Sequence, residues 1–416
     1  MFRFADAFHD NPSQQVTDQM SPPSRNILVV SHAWYGDLIG GAFRLASEFA
    51  VSLASSGHRV RFVCCAPEKK TAPTEPTNLG DLTIHRYAPP EKGTGGLSRL
   101  RYHIRQTEHL VRQLHEDSGF DVLSGHSPLQ MLGALRAVEG RVFSNYTVHS
   151  PFDDEVASNS NRGIMNHFAT FAARQVDRRI TRRCDRLQTD SEFTLRVMIR
   201  KHGKAALRKG IVAPGWVESA RFVPCPNRQT LRQQLGSQWD TNVPLFFTLR
   251  RLENRMGLED LVNACRRLKE NGLAFRTIIG GGGSLKQSLE TMITRYGLQD
   301  QVFLAGRVAE ELLPVCYAAA DCFVLPTRAL ECFGLIVLEA FSCNTPVIAS
   351  RAAAIPELAQ RQGGSWMFEP GDVAELVSRM QSFIEGNLRP AVDLRSVAME
   401  YDKPKVLKRW EELLSP

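Results

Sequence analysis

Short apolar runs alternate with longer segments whose hydrophobic residues recur at helical spacing, from residue 26 almost to the end of the chain. That alternation is the pattern of open parallel sheets with flanking helices. NILVVS (26–31) reads as a first strand, and RVRFVCC (59–65) as a second. Between them GAFRLASEFAVSLASSG (41–57) reads as a helix stopped at Gly57. Further strands are expected at 82–87, 121–125, 141–149, 185–190 and 209–214. The stretch RFVPCPNRQTLRQQLGSQWDTNVP (221–244) then breaks the series with three prolines and no sustained period. Strands resume at 244–249, 275–280, 301–306, 321–326 and 346–350, and 403–414 is helical. The expected fold is α/β, two Rossmann-like domains of similar size facing each other across a cleft where ligands sit. The expected divisions are a disordered leader (1–24), a first domain (25–221), a linker (222–243), a second domain (244–398) and a closing helix (399–416) that packs back on the first.

A chain of 416 residues exceeds what one core usually organises, in keeping with two domains. No window approaches eighteen uninterrupted apolar residues, so no transmembrane helix is expected. The leader is polar, carries Asp6 and Asp10, and lacks the apolar centre of a secretory signal. Nine scattered cysteines with no C-x-x-C argue for reduced thiols in a cytoplasmic protein, and against a disulfide framework or a zinc site. The net charge of +7 lies wholly in residues 1–221, which hold 29 Lys/Arg against 22 Asp/Glu. The excess concentrates between Arg174 and Lys209. It reads either as solvated helix faces or as a surface for anionic lipid, at the inner face of a membrane, or an anionic acceptor. Nucleic acid is not expected, because aromatics do not interleave with these charges.

ECFGLIVLEA (331–340) sets two carboxylates, Glu331 and Glu339, in an otherwise apolar run. Acidic side chains are seldom buried without partners. If a helix starts near Phe333–Gly334, eight residues at ~100° each leave the two only about 80° apart, so both can face one cleft. The free amides of Phe333, Gly334 and Leu335 would then offer an anion site, with Gly334 allowing close approach. A carboxylate beside that site suits the hydroxyls of a sugar.

PTRALECFGLIVLEAFSCNTPVIAS (326–350) resembles the paired-glutamate signature of family 4 of the retaining glycosyltransferases, which have the GT-B fold. The resemblance runs from about Asn26 to Trp410 and is densest in the second domain. LRRLENRMGL (249–258) looks like the family's arginine loop for the donor diphosphate, and IIGGGGSLKQSLE (278–290) like its glycine loop. VFLAGRV (302–308) looks like the strand whose end, at Val308, contacts the base. GDLIGGAFR (36–44) looks like the glycine turn beside the phosphates, through Gly40 and Gly41, and TVHSP (147–151) like the active-site histidine segment. The resemblance implies that Arg251 neutralises the diphosphate, His149 and Glu331 meet the transferred sugar, and Glu339 holds the ribose. The family's usual lysine is replaced by Met256, and Arg255 is expected to take over its charge. The family's helix-ending glycine is Asn344, which tolerates the left-handed conformation, and its glycine pair before I-P-E is Ala353–Ala354. His126, in SGHSP, reads as structural.

The implied reaction moves a sugar from a nucleotide-diphosphate sugar, UDP- or GDP-linked, to an acceptor hydroxyl with retention of configuration. The acceptor (a glycan, a lipid-linked sugar or a small molecule) is left open. No D-x-D is present, so no metal-diphosphate site and no cofactor are expected; the arginines and helix N-termini would supply the positive field. A nicotinamide dehydrogenase would want an acid at the end of the second strand, where this chain has Cys64-Cys65-Ala66-Pro67. A catalytically silent nucleotide-sugar binder on the same fold remains the alternative.

Overall fold

A computed structural model describes residues 24–38, 40–68, 75–138, 142–159 and 164–415. The expected leader therefore lies outside the described residues, apart from Ser24.

The first sheet contains β1 (Asn26–Val30), β2 (Arg59–Cys65), β3 (Thr77–Leu79), β4 (Leu82–Tyr87), β5 (Val122–Gly125), β6 (Phe143–Val148), β7 (Arg186–Thr189) and β8 (Gly210–Val212). Their order is β3-β4-β2-β1-β5-β6-β7-β8, parallel throughout except for the antiparallel edge strand β3. The second sheet contains β9 (Leu245–Leu249), β10 (Arg276–Gly280), β11 (Val302–Gly306), β12 (Cys322–Leu325), β13 (Val347–Ser350) and β14 (Met367–Phe368), in the order β11-β10-β9-β12-β13-β14. The central strands are apolar on both faces because helices cover both: Ile27, Leu28, Val29 and Val30 are all buried, as are Phe246 and Phe247. The short pieces β3 and β14 have too few residues to show a period.

Strand order reverses on either side of β1 and of β9, so the carboxyl ends of those strands are the topological switch points where open α/β sheets bind ligands. The chain leaving β1 carries Gly40 and Gly41 into the helix Gly41–Ser55; the chain leaving β9 carries Arg250, Arg251 and Arg255. The architecture thus aims the glycine turn and the arginine loop at one crevice.

Two crossings join the domains and run side by side. The amide of Val217 donates to the Tyr401 carbonyl, and the amide of Lys403 to the Val217 carbonyl, both at 3.0 Å. Beyond the second crossing, the helix Lys403–Glu412 returns to the first domain. Its Trp410 is fully buried against Phe49, Trp216 and His126.

Within the stretch 222–243, expected as a linker, Arg228–Leu235 forms a helix whose cap Asn227 accepts from the Thr230 amide at 3.3 Å. Arg232 anchors it: 5% exposed, it donates to Asp321 (2.6 Å) and to the Ala319 carbonyl (2.9 Å). The apolar residues of this helix are Leu231 and Leu235 alone, which pack on the core of the second domain and are too few to show a hydrophobic period.

Candidate active site

The arginine loop is pinned by two glycines that no other residue could replace without movement. At Gly257 (φ 70°) an added Cβ would fall 1.8 Å from the Pro326 carbonyl oxygen, and at Gly281 (φ 129°) 1.8 Å from that of Arg250. These contacts press the loop after β9 against both the glycine loop and the segment before Glu331.

Within that clamp Arg250, a residue the sequence reading passed over, takes the central place. Its guanidinium, 9% exposed, donates to the Glu331 carboxylate at 2.7 Å and lies 3.0 Å from the Met256 sulfur. Arg250 thus reaches the spot where a longer cation at position 256 would end. Arg255, expected in that role, instead donates to the Leu330 carbonyl at 3.0 Å and sits 3.6 Å from Glu253. Burial, then repulsion from Arg251 and Arg250, presses its pKa down from the ordinary value. Arg251 is 60% exposed and leans on Glu253 at 3.3 Å, so its fork can turn to an incoming anion. Three guanidiniums against Glu253 and Glu331 leave a surplus of positive charge at the carboxyl end of β9. The missed signal was the doubled arginine itself, L-R-R-L.

Glu331 is flanked by strain. Leu330 (φ 61°) and Ala353 (φ 50°) are both left-handed without being glycine, and the Ala354 amide donates to the Glu331 carbonyl at 3.0 Å. Such conformations cost of order 1 kcal/mol each and persist where surrounding contacts over-determine them. Asn344 (φ 55°) takes the helix-ending conformation expected of it.

The helix Leu335–Ser342 opens at Gly334, itself left-handed at φ 93°. The amides of Phe333, Gly334 and Leu335 meet no acceptor among the described residues, as helix N-termini leave their first donors free. Leu335 lies 3.6 Å from where a Cβ on Gly41 would stand, so the glycine turn of one domain meets the helix start of the other. Gly40 precedes that turn as the cap of its helix. Leu335 and Phe333 also pack on Gly215, beside the crossing. Val308 covers Gly280 at the end of β10, next to the arginine loop.

Glu339, expected at the ribose, is 7% exposed and already held. It accepts from the Tyr317 hydroxyl at 2.9 Å and from Arg44 of the first domain at 3.3 Å. Burial raises its pKa, and Arg44 and Tyr317 oppose the rise. Arg44 also meets Glu48 (2.8 Å) and Glu218 (3.3 Å), and Lys403 meets Glu218 (2.5 Å) and Glu48 (3.1 Å). The second glutamate therefore belongs to a charge network that ties the two domains together.

His149 ends β6 with both ring nitrogens engaged. Nδ1 is 2.8 Å from Asp190 and Nε2 is 3.1 Å from His126 Nδ1, while His126 Nε2 is 3.1 Å from the Ser124 hydroxyl. Burial, with His149 adding to it, holds His126 well below the ordinary imidazole range, so it is neutral. The carboxylate of Asp190 can only accept, so His149 Nδ1 donates to it, and the one N–H of the neutral His126 serves either His149 or the Ser124 hydroxyl. The two imidazoles stack on Trp410. His126 is structural in this arrangement, and His149 has no nitrogen spare for a sugar.

A second carboxylate, Glu155, was not legible in sequence. It stands in the first turn of the helix Phe152–Asn159. Enclosure raises its pKa, and Arg251, Arg255 and His149 pull the other way. The residue is exposed, as a group lining an open cleft is. Glu155 brings the first domain's charge to face the arginine loop of the second.

The architecture is that of the GT-B glycosyltransferases. It superposes on sucrose-phosphate synthase from Thermosynechococcus elongatus with a TM-score of 0.76 at 20% identity, over 94% of this chain and 98% of that one. Anabaena HepE in complex with UDP and glucose gives 0.72 at 20% identity, over 94% and 99%. Residues 227–401 match the family model of glycosyl transferases group 1, and residues 39–221 that of glycosyltransferase family 4. A D-inositol 3-phosphate glycosyltransferase of Kineococcus radiotolerans is 27% identical over 334 residues, 76% of this chain and 74% of that protein. The matches to several other curated relatives span about half of their length or less.

Proposed function

We propose that the chain is a glycosyltransferase that moves a hexose from a UDP- or GDP-linked donor to an acceptor hydroxyl, with retention of configuration and without a metal. The observation that carries this is the convergence of Arg250, Arg251 and Arg255 at the end of β9 with the free amides of Phe333–Leu335, over Glu331. That arrangement suits two phosphate charges beside a sugar. In this reading Arg251 and the amides take the diphosphate, Arg255 adds to the field, and Val308 lies beside the base. Glu331, oriented by Arg250, accepts from sugar hydroxyls.

The fixed positive charge stabilises the departing diphosphate, which develops charge as the glycosidic bond breaks. With Glu331 tied to Arg250, that carboxylate is not free to act as nucleophile, which favours attack from the face the phosphate leaves. The acceptor enters from the first domain, past Glu155 and His149, and belongs to the glycan, lipid-linked sugar or small-molecule hydroxyls.

The test is a thermal-shift panel of UDP, GDP and ADP with their sugars, followed by release assays on those that bind. A ligand at 100 times its dissociation constant stabilises by about 2.7 kcal/mol. A shift with one nucleotide family is expected; no shift with any would overturn the donor assignment.

A further inference from the structure

The helix Ile164–Arg183 carries a surface that the cleft does not use. At ~100° per residue, Phe168, Phe171, Arg174, Arg178, Arg179 and Arg182 fall within an arc of about 140°. All six are exposed, the two phenylalanines at 65% and 62%. Ala173, Val176, Asp177, Ile180 and Thr181 occupy the opposite arc and are buried. The outward arc carries no carboxylate, since Asp177, the helix's one acidic residue, is buried. Arg174 approaches Asp153 at 4.0 Å, while Arg178, Arg179 and Arg182 have no ion-pair partner among the described residues. The nearby acids Asp153 and Asp154 are already matched by Lys201 at 2.5 and 2.6 Å.

Helix direction places this surface. The helix runs into the start of β7, antiparallel to the strands, so its phenylalanine end lies at the carboxyl edge of the sheet, the side of the cleft.

We propose that this face docks on a bilayer of anionic phospholipid, independently of which reaction the cleft performs. Two neighbouring phenyl rings can enter the acyl boundary while the planar guanidinium forks pair with the oxygens of lipid phosphates. Charge complementarity selects this occupant: four exposed arginines face outward with no carboxylate among them, which suits an anionic lipid surface. Docked this way, the helix holds the mouth of the cleft beside the lipid surface.

Co-sedimentation of the full chain with phosphatidylcholine vesicles, with and without phosphatidylglycerol, tests it. The chain should pellet only with phosphatidylglycerol, and less as salt rises. Phe168→Ser/Phe171→Ser and Arg174→Gln/Arg178→Gln/Arg182→Gln should each weaken partitioning by about tenfold or more, with the circular dichroism spectrum unchanged. Phe168→Trp should shift its emission to the blue when those vesicles are added. No binding, equal binding to neutral vesicles, variants that bind as wild type, or an unmoved emission would each overturn the proposal. A dimer dissolved by the phenylalanine changes would place a second copy there instead, and would overturn it as well.

Discussion

Arg250 and Glu331 form a largely buried ion pair at 2.7 Å, joining the loop after β9 to the loop after β12. Removing one partner of such a pair leaves the other charge uncompensated, which costs more than the pair itself contributes. Arg250→Ala is expected to lower turnover by roughly 10²–10³-fold, the scale of one preorganised electrostatic contact. Because Arg250 lies 3.0 Å from the Met256 sulfur, Met256→Lys in the same background should restore part of the loss. Steady-state kinetics on the three proteins check this; no rescue would show that the two positions do not share one charge.

Arg44 links Glu339 of the second domain to Glu48 and Glu218 at the crossing. Arg44→Ala should destabilise by about 3–5 kcal/mol, the range for breaking a buried pair. In a Glu339→Gln background the same change should cost less, because one of the abandoned carboxylates is gone. Urea unfolding of the four proteins gives the coupling; purely additive costs would place Glu339 outside the network.

Ala353 holds φ 50° with its neighbour's amide on the Glu331 carbonyl. Glycine adopts that conformation freely, so Ala353→Gly should stabilise by roughly 0.5–1 kcal/mol despite its greater freedom in the unfolded chain. A lower midpoint of denaturation would mean that the methyl group packs better than the backbone suffers.

How much of this was legible beforehand divides along physical lines. Strands such as β1, β9 and β12 announce themselves because burial on both faces makes continuous apolar runs. Glu331 and Arg251 were singled out by resemblance to a family motif, and both stand on loops that leave the carboxyl ends of central strands. Arg250 was hidden because adjacent arginines look alike in sequence, and only the clamp at Gly257 and Gly281 decides which one turns inward. Glu155 was hidden because its partners lie across the cleft, about a hundred residues away along the chain. Glu339 was placed on the right helix, but its partner Arg44 comes from the other domain, and no local pattern encodes that pairing.

The buried histidines set an acid sensitivity. His103 is pushed down to about 4, mainly by burial, with His32 and Arg99 adding to it. An unfolded imidazole takes its proton near pH 6.5. The unfolded chain therefore binds more protons between about pH 6.5 and 4, and stability falls as pH drops through that window. Asp177, raised to about 7 by burial, works in the opposite sense over the range below that value. His103→Gln isolates the first effect. The variant should lose less stability than the parent between pH 7.5 and 5, as read by urea midpoints, and an equal loss would contradict the assignment.

Glu331 and the arginine loop are proposed to act together on a nucleotide sugar. The direct measurement is release of nucleoside diphosphate from UDP- and GDP-sugars by the wild-type chain and by Glu331→Ala, Arg251→Ala and Arg178→Gln. Release from one donor family is expected, reduced roughly 10²–10³-fold in the first two variants and unchanged in the third. Release that survives in Glu331→Ala at the wild-type rate, or none from any donor, would contradict that proposal.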